Sequence, residues 1–298
     1  MMRTTLLAVL GLTIASAAPA QIRCDAALAF SQVDRDAPGG RTPVFRTTSG
    51  RSALLFREKL NVNTDGTPRS YAVDDVFGRR RALNNMCNAM TDICRGLTRA
   101  QLAARAAAVA EADARGWPAG SIARVKLSTS VIAMRGGKPC PSRDGFLLSA
   151  TSLQNPAVAD VCSPDRYVDA LHVAALVLPL GSTGFRAAGA RVGDLVAAIA
   201  PGGEPIFAVV GDSGPATALG EGSIALNGRL KALGRDPGNY RDVLRNWVTG
   251  RVAVLVFPGS RDRQQPFMDQ ARIDAAAASL LAEWGGKARL AACLANPG

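Results

Sequence analysis

Four short apolar runs in the second half of the chain place the strongest limit on its fold. They are LHVAALVLP at 171–179, DLVAAIA at 194–200, PIFAVVGDSG at 205–214 and VAVLVFPG at 252–259. Such runs are too short for ordinary helices, are rich in β-branched residues and are closed by Pro, Gly or Asp, which favours buried strands. Further strand patterns occur at 53–56, 124–134 and 146–152. The sequence therefore predicts a mainly β fold.

Helical patterns surround these strands. Thr98 is a typical helix cap, and the alanine-rich segment that follows it ends at Gly116. A second helix is predicted over 223–233, and one or two helices over 268–295 with a break at Gly285-Gly286. We expect a compact β-barrel core with peripheral helices and a helical C-terminal extension from about residue 268.

The first twenty residues have the pattern of a secretory signal peptide. Arg3 supplies the positive start, residues 6–15 form a short apolar core, and Ala18-Pro19-Ala20 offers small residues for cleavage. We predict a signal peptide over 1–20 and a single domain over 21–298. No later apolar run approaches the ~20 residues of a membrane helix. A secreted or periplasmic protein without a membrane span is therefore expected.

Six cysteines follow the predicted cleavage site, and an even number in an exported chain indicates disulfides. Six cysteines allow many pairings, and the sequence alone does not choose among them. We prefer a local disulfide Cys87–Cys94 and a disulfide Cys140–Cys162 across a predicted hairpin region. The remaining pair, Cys24–Cys293, would then connect the two ends of the chain. With one histidine and no Cys-x-x-Cys pair, neither a metal nor a cofactor is expected.

The charge balance is basic, with 35 Lys and Arg residues against 24 Asp and Glu residues and a net charge of +11. Such a balance can favour nucleic acid or anionic envelope surfaces. The basic residues are scattered, however, and no basic run alternates with aromatic residues as in proteins that bind single strands. Nucleic-acid binding is therefore not expected.

Two carboxylates flank a glycine-rich turn behind an apolar strand, Asp212 in GDSGP and Glu221 in LGEGS. Hydrolysis of a glycosidic bond needs two carboxyl groups, one to protonate the leaving oxygen and one to activate water or to attack carbon. A strand end and the loop behind it can hold both groups at one cleft. The spacing alone is compatible with a glycosidase site, but a turn residue at Asp212 and a helix cap at Glu221 are the commoner roles for such residues.

The GDSGP letters also resemble the nucleophile loop of trypsin-like serine proteases, with Ser213 as the nucleophile. That mechanism needs a histidine base and an orienting carboxylate. The single histidine, His172, lies 41 residues upstream without the neighbouring cysteine of those enzymes. Their second glycine is also missing, because Pro215 directly follows Gly214. A serine nucleophile is therefore disfavoured.

The segment from GDLVAAIA to LGEGSIALNGRL resembles glycoside hydrolase family 75, the fungal-type endo-chitosanases. The family shows a GDLxAV strand, a valine-rich strand into GD[ST]GP, and [IL]GE[AG]S before a helix; the last two patterns occur here in full, after GDLVAA in place of the first. Weaker similarity is found at 63–75, 146–153 and 165–179, so the resemblance covers roughly 60–257. It implies a six-stranded barrel of the double-psi type and a chitosanase-like catalytic domain over 21–298.

The resemblance implies roles for five residues. Asp212 and Glu221 would be the essential acids of an inverting mechanism, with Glu221 as general acid and Asp212 as general base. Candidates for substrate binding are Asp65, Tyr167 and Asp194. Structural alternatives stay open for these three, namely a turn former for Asp65, a cap for Asp194 and a buried aromatic for Tyr167.

The function expected from this resemblance is exported hydrolysis of β-1,4-linked glucosamine polymers, that is, of chitosan. A net charge of +11 opposes a polycationic substrate at long range, but residues 192–228 carry four carboxylates and no Lys or Arg. The alternatives are a peptidoglycan-acting hydrolase or lyase and a glycan-binding envelope protein without catalysis. The expected partner is a polysaccharide substrate, and the sequence predicts no oligomeric state.

Overall fold

The structure is a computed structural model that describes residues 22–181 and 183–296 of the chain. The predicted signal peptide, residues 1–20, lies outside the described residues. The strands of the described part are β1 Ala26–Val33, β2 Arg41–Thr47, β3 Leu54–Lys59, β4 Asn61–Asn63, β5 Tyr71–Ala72, β6 Met134–Arg135, β7 Lys138–Pro139, β8 Phe146–Leu147, β9 Ala175–Leu178, β10 Leu195–Ile199, β11 Ile206–Ser213, β12 Glu221–Ser223 and β13 Arg251–Phe257. The α-helices are α1 Arg99–Ala114, α2 Ser121–Val125, α3 Ile224–Leu230, α4 Tyr240–Asp242, α5 Gln270–Trp284 and α6 Gly286–Ala295.

Local signals explain where the longer helices begin and end. Thr98 forms a capping box with Gln101 at the start of α1, as its hydroxyl accepts from the Gln101 N–H and its own N–H donates to the Gln101 side chain. Ser223 caps α3 by accepting from the N–H of Leu226. Gly285, with a φ of 129°, separates α5 from α6. The helices predicted after Thr98, over 223–233 and near the C-terminus are thus confirmed.

One predicted strand is wrong. Residues 124–134 contain the end of α2 and a series of turns, with only Met134 in a strand. Lys126 adopts a left-handed φ of 60° and ends the helix, and the N–H of Val131 bonds back to the carbonyl of Ser128. The buried apolar side chains of this segment therefore belong to turns and not to a strand.

Nine strands form one mixed sheet in the order β1-β2-β3-β13-β10-β11-β9-β12-β4. The pairs β9–β11 and β4–β12 are parallel, and the other pairs are antiparallel. A mainly β fold with peripheral helices fits this in part. The predicted six-stranded barrel, including its double-psi form, is wrong, because β1 and β4 are the unclosed ends of the sheet in the described residues.

The chain path explains why the sheet curls without closing. Only Leu60 separates β3 from β4, although these strands are the third and the last in the sheet order. Two peptide links span about 7 Å, so the end of β3 and the start of β4 must lie next to each other. At this point β3 and β4 are joined through Leu60, whereas a closed barrel would have hydrogen bonds between its first and last strands.

The central strands are buried on both faces. Alternate residues meet α5 and α6 in one core, which includes Leu55, Ala197, Leu255, Ile273 and Leu290. The intervening residues form a second core with α3, which includes Leu54, Phe56, Val196, Val254 and Leu226. Successive strand residues point to opposite faces, so burial on both faces requires a continuous apolar run. This accounts for the four runs in the sequence.

A smaller unit of chain lies between β4 and β9. It contains two short antiparallel sheets of two strands each, β5 with β8 and β6 with β7. Its own core packs α1 against these segments through Met86, Val109, Ala112, Trp117 and Leu147. The segment that follows β8 in this unit contacts the large sheet beside β11, where the N–H of Leu153 donates to the carbonyl of Gly211.

Three disulfides join the six cysteines as Cys24–Cys293, Cys87–Cys94 and Cys140–Cys162, which confirms the preferred pairing. Arg289 reinforces the first by donating to the carbonyls of Cys24 at 3.0 Å and Ser49 at 3.1 Å. Disulfides persist in oxidising compartments, which is consistent with a secreted protein. Among the described residues, no helix combines the length and the apolar character that a membrane crossing needs.

Candidate active site

Asp212 and Glu221 lie on the two strands that flank β9. Asp212 of β11 pairs with Val177, and Glu221 of β12 pairs with the same Val177 from the other side. Directly paired residues on neighbouring strands project from the same face of a sheet. The two carboxylates therefore stand on either side of the Val177 side chain. Because neighbouring strands lie about 4.8 Å apart, the two Cα atoms are about 10 Å from each other.

The glycines of GDSGP let β11 approach β9 closely. The register between the two strands shifts at Gly211. A Cβ on Gly211 would lie 2.8 Å from the Cβ of Ala175, and a Cβ on Gly214 would lie 2.9 Å from Cγ1 of Val177. Both positions therefore need glycine. A bulge of this kind re-aims the side chain that follows it, which here is Asp212.

Glycines on both sides also position Glu221. Gly220 has a φ of +81°, and a Cβ there would lie 2.5 Å from the carbonyl oxygen of Lys59. A Cβ on Gly222 would lie 2.3 Å from Oδ1 of Asn227. The Gly-Glu-Gly sequence thus allows a three-residue strand to fit between β9 and β4, with Glu221 as its first residue.

Asp65 enters the same site from the turn after β4. Its N–H donates to Oδ1 of Asn63 at 2.9 Å, and the N–H of Gly66 donates to Oγ of Ser149 at 3.0 Å. Gly66 has a φ of +86°, and a Cβ there would lie 1.9 Å from the carbonyl oxygen of Val168. The Asp-Gly turn places the Asp65 carboxyl within electrostatic reach of both candidate acids.

A narrow cavity has both Asp65 and Asp212 in its wall. Its other lining residues include Asn63, Thr151, Val177 and Ser223. The remaining wall is apolar, which lowers the local dielectric and strengthens interactions between charges. In residues 22–181 and 183–296, no cluster of three or more His, Cys, Asp or Glu side chains has an arrangement that could hold a metal ion.

Asp65 has the most perturbed carboxyl of the site. Burial and, next, the charge of Asp212 raise the pKa of Asp65 to about 7, with a further increase from Glu221. The hydroxyls of Tyr71 and Ser149 act in the opposite direction. The Oδ1 atom of Asp65 is buried and has no hydrogen-bond partner within the described chain. Asp65, Asp212 and Glu221 form one electrostatic group, which we call the three-acid cluster.

Asp212 is held by donors that favour its ionised form. Its Oδ1 accepts from the N–H of Ser152 at 2.9 Å, from the Ser152 hydroxyl at 2.5 Å and from the N–H of Ser213 at 2.8 Å. Burial raises the pKa of Asp212, and these three donors pull it down again without cancelling the increase. Hydrogen bonds to a carboxylate stabilise its charge, so Asp212 is suited to act as a base.

Glu221 has a different environment. Burial raises its pKa, the positive charge of Arg35 opposes the increase, and the charges of Asp212 and Asp36 add to it. The Asn63 side chain is its hydrogen-bond partner. Glu221 therefore depends on one nearby cation and one amide, whereas Asp212 has three donors on one oxygen. Two carboxyls in unequal environments can divide into a proton donor and a proton acceptor.

The structure places Tyr167 and Asp194 in the framework of the fold. Tyr167 is 5% exposed, packs with Cys140 and Cys162, and donates its hydroxyl to the carbonyl of Val161 at 2.8 Å. Neither Tyr167 nor Asp194 lines the cavity that contains Asp65 and Asp212.

Asp194 is fully buried at the start of β10. Its carboxyl accepts from the N–H of Arg191 at 2.8 Å and from the N–H of Arg261 at 3.2 Å. Burial raises the pKa of Asp194, and these backbone donors oppose the increase. The side chain thus closes two turns at one end of the sheet.

His172 and Ser213 lie at opposite ends of β9. His172 precedes the strand, is largely exposed and contacts the Asp169 carboxylate at 2.8 Å. Ser213 pairs with Leu178, the last residue of the strand. The strand from Ala175 to Leu178 alone spans about 10 Å, so the histidine is not placed as a base for the serine.

Several residues of the site are given no role by the sequence. Ser149 and Ser152 lie in the segment FLLSATS, which is predicted as a strand and has weak similarity to the family, but neither serine is singled out. Arg35 and Asp36 belong to the polar N-terminal part, and the N–H of Arg35 bonds to the carbonyl of Thr217 in the loop between the two acids. Their roles depend on contacts between distant parts of the chain.

The four carboxylates of residues 192–228 do not all lie at the site, contrary to what the sequence suggests. Asp194 is enclosed in turns, and Glu204 pairs with Lys287 on the surface. The site instead combines Asp212 and Glu221 with Asp65 and Asp36 from outside that segment.

Comparison with models of protein families finds none that matches the chain. Comparison with curated proteins finds no significant match either. The resemblance to chitosanases therefore rests on sequence motifs alone, chiefly GDLVAAIA, GDSGP and LGEGS.

Proposed function

We propose that this protein is a glycoside hydrolase that cleaves β-1,4-linked glucosamine chains by an inverting mechanism. The observation that carries the proposal is the shared pairing of Asp212 and Glu221 with Val177. This pairing sets two perturbed carboxyls on one face of the sheet, one on each side of a single strand. We assign Glu221 as the general acid and Asp212 as the general base.

The strand geometry favours inversion over retention. Inverting enzymes hold their carboxyl groups about 6.5–9.5 Å apart, whereas retaining enzymes hold them about 5–5.5 Å apart. Two carboxyls that flank an intervening strand start from Cα atoms about 10 Å apart. That spacing leaves room for a water molecule between the sugar and one of the acids.

In this mechanism, Asp212 removes a proton from the water as its oxygen forms a bond to the anomeric carbon. Glu221 donates its proton to the glycosidic oxygen while the carbon–oxygen bond breaks. Each turnover leaves Asp212 protonated and Glu221 ionised, and exchange with solvent restores the starting state. The three donors on Oδ1 of Asp212 stabilise the carboxylate that this cycle requires.

The charge around the site supports a cationic sugar as substrate. Asp212 and Asp36 supply negative charge at Glu221, and the guanidinium of Arg35 opposes it. The net charge of +11 repels a polycation at long range, but salt screens exposed charges beyond about 8 Å at physiological ionic strength. Contacts inside the site therefore decide binding.

Export is part of the proposal. The pattern of residues 1–20 is that of a signal peptide. Three disulfides suit an oxidising compartment outside the cytosol. An enzyme that acts on an external or envelope polymer must be exported. The signal-peptide pattern and the disulfides are therefore consistent with the proposed substrate.

A reducing-end assay on chitosan and on peptidoglycan tests the function. We expect new reducing ends from chitosan, none from peptidoglycan, and none from either polymer with the Glu221→Gln variant. Release from peptidoglycan alone would replace the substrate in this proposal. Absence of release from both, with folded protein that still binds the polymer, would identify a binding protein.

A further inference from the structure

Asp65 belongs to the three-acid cluster but has no part in the two-acid mechanism. It faces Asp212 from β11, Glu221 from β12 and the Tyr71 hydroxyl from β5. Beyond these, Tyr240 faces Tyr71, while Arg35 and Asp36 face Glu221. Asp65 also presents a buried oxygen, Oδ1, that no group of the described chain satisfies.

We propose that Asp65 is a positioning residue that keeps its proton while the enzyme works, so that Asp212 stays the ionised member of the cluster. This inference rests on the proposed function. It gives Asp65 a role through Asp212, and not as an ionised carboxylate that binds the substrate's ammonium groups.

The first argument is the competition for charge. Carboxyl groups that share a site cannot all ionise together, because each negative charge disfavours the next. The cluster therefore keeps protons at the positions where ionisation is least favoured. Asp212 and Asp65 line the same cavity, so ionisation of one bears directly on the other.

The second argument is the distribution of donors. Asp212 has two backbone N–H donors and one hydroxyl on a single oxygen, and Glu221 has the charge of Arg35 nearby. At Asp65, the hydroxyls of Tyr71 and Ser149 are the hydrogen-bonding groups that lower the pKa of its carboxyl. Hydroxyls both donate and accept, so they accommodate a protonated Asp65 as well as an ionised one.

The third argument is burial of the carboxyl: its Oδ1 atom is enclosed, although Asp65 as a whole is only partly buried. The balance of these effects raises the pKa of Asp65 to about 7, well above that of an ordinary aspartate. We therefore expect Asp65 to lose its proton at a higher pH than Asp212, whose carboxylate has three donors.

The pH profile of the Asp65→Asn variant tests this order, because an amide has the shape and neutrality of the protonated acid. We expect the acid limb of kcat/KM, which reports ionisation of Asp212, to stay within about 0.3 pH units of the wild type. If Asp65 were ionised, its removal would lower the pKa of Asp212 and move that limb down by about 1 unit. A downward shift of that size would overturn the proposal.

Comparison with Asp65→Leu separates the polar role from simple packing. We expect Asp65→Leu to lose about 100-fold in kcat/KM, since misplaced catalytic groups carry penalties of that order. The Asp65→Asn variant should recover at least about 10-fold of this loss. Equal losses in two folded variants would contradict a protonated Asp65, because the amide would then not replace it.

Carboxyl carbon NMR provides a readout that needs no activity. The difference between wild type and Asp65→Asn should show one carboxyl that titrates near 7, and the Asp212 carboxyl should titrate at a lower pH than this one. Asp74→Asn is the matched control, because the ion pair with Arg81 holds the pKa of Asp74 below its usual value. A titration of Asp65 below pH 5 would overturn the inference, whereas inactivity towards chitosan would overturn only the proposed function.

Discussion

Ser152 holds Asp212 through two hydrogen bonds to one oxygen, from its N–H at 2.9 Å and from its hydroxyl at 2.5 Å, although the two residues are 60 positions apart. The contact joins the segment after β8 to the end of β11. Both donors stabilise the ionised form of Asp212. The Ser152 hydroxyl is therefore expected to set the pH at which the proposed base begins to work.

Replacement of Ser152 by alanine removes the hydroxyl and keeps the N–H. A hydrogen bond to a charged group contributes about 1.5–3 kcal/mol, so the pKa of Asp212 should rise by about 1–2 units. Because the base must be ionised, the acid limb of the pH–rate profile should move to higher pH by about the same amount. The measurement is kcat/KM on a soluble chitosan oligomer between pH 3 and pH 8.

The matched variant is Ser152→Thr, which keeps both donors and should leave the limb in place. An unchanged limb in Ser152→Ala would show that the hydroxyl does not support the charge of Asp212.

Amide substitutions test the two candidate acids. Asp212→Asn and Glu221→Gln should each reduce hydrolysis by at least about 10²-fold, because each removes general base or general acid catalysis. Circular dichroism and thermal unfolding should show that both variants fold. Glu204→Gln is a suitable control, since Glu204 pairs with Lys287 on the surface.

Ser213→Ala should retain most activity, because the hydrogen bond from Ser213 to Asp212 comes from the backbone N–H, which alanine keeps. A near-complete loss in this folded variant would contradict a mechanism based on carboxylates alone.

The central strands of the fold could be predicted because burial on both faces leaves a strong pattern. The runs at 171–179, 194–200, 205–214 and 252–259 became β9, β10, β11 and β13. The closed barrel was wrongly predicted, because sheet closure depends on pairing between distant strands. Nothing in the local sequence shows that Leu60 alone joins the third strand of the sheet to the last.

The site was predictable only where glycine limits the backbone. Gly211, Gly214, Gly220 and Gly222 each stand where a Cβ would collide with a neighbour, and they mark the two motifs in the sequence. Ser152 and Arg35 have no such mark, because their contacts with the acids arise only when distant segments fold together.

The raised pKa of Asp65 also predicts how stability depends on pH. The folded protein keeps a proton on Asp65 up to about pH 7, whereas the unfolded chain loses it near pH 4. The folded state thus binds more protons in this window, and its free energy of unfolding should fall as the pH rises from 4 to 7. This loss should reach about 3 kcal/mol from this group.

Urea unfolding of wild type and Asp65→Asn at pH 4.5 and pH 7.5 measures the effect. The variant should lose less stability between the two pH values than the wild type does. Equal losses would show that Asp65 titrates alike in the folded and unfolded chains.

The three disulfides should differ in their effect on stability. Cys24–Cys293 joins residues that are 269 positions apart and so closes a long loop, whereas Cys87–Cys94 joins residues that are 7 positions apart. On the chain-entropy estimate, removal of the first by a double serine substitution should cost about 5 kcal/mol, and removal of the second about 2 kcal/mol. Urea unfolding gives both values, and the reverse order would contradict a dominant effect of loop length.

The anomeric configuration of the first product tests the arrangement of Asp212 and Glu221 across Val177. If water attacks directly from the side of Asp212 while Glu221 protonates the leaving oxygen, a β-linked substrate gives the α-anomer first. Proton NMR during the first minutes of hydrolysis, before mutarotation mixes the anomers, measures this. An initial β-anomer would require a covalent glycosyl-enzyme and carboxyls about 5–5.5 Å apart. Two acids on strands separated by β9 disfavour that spacing, so retention would place the nucleophile elsewhere in the site.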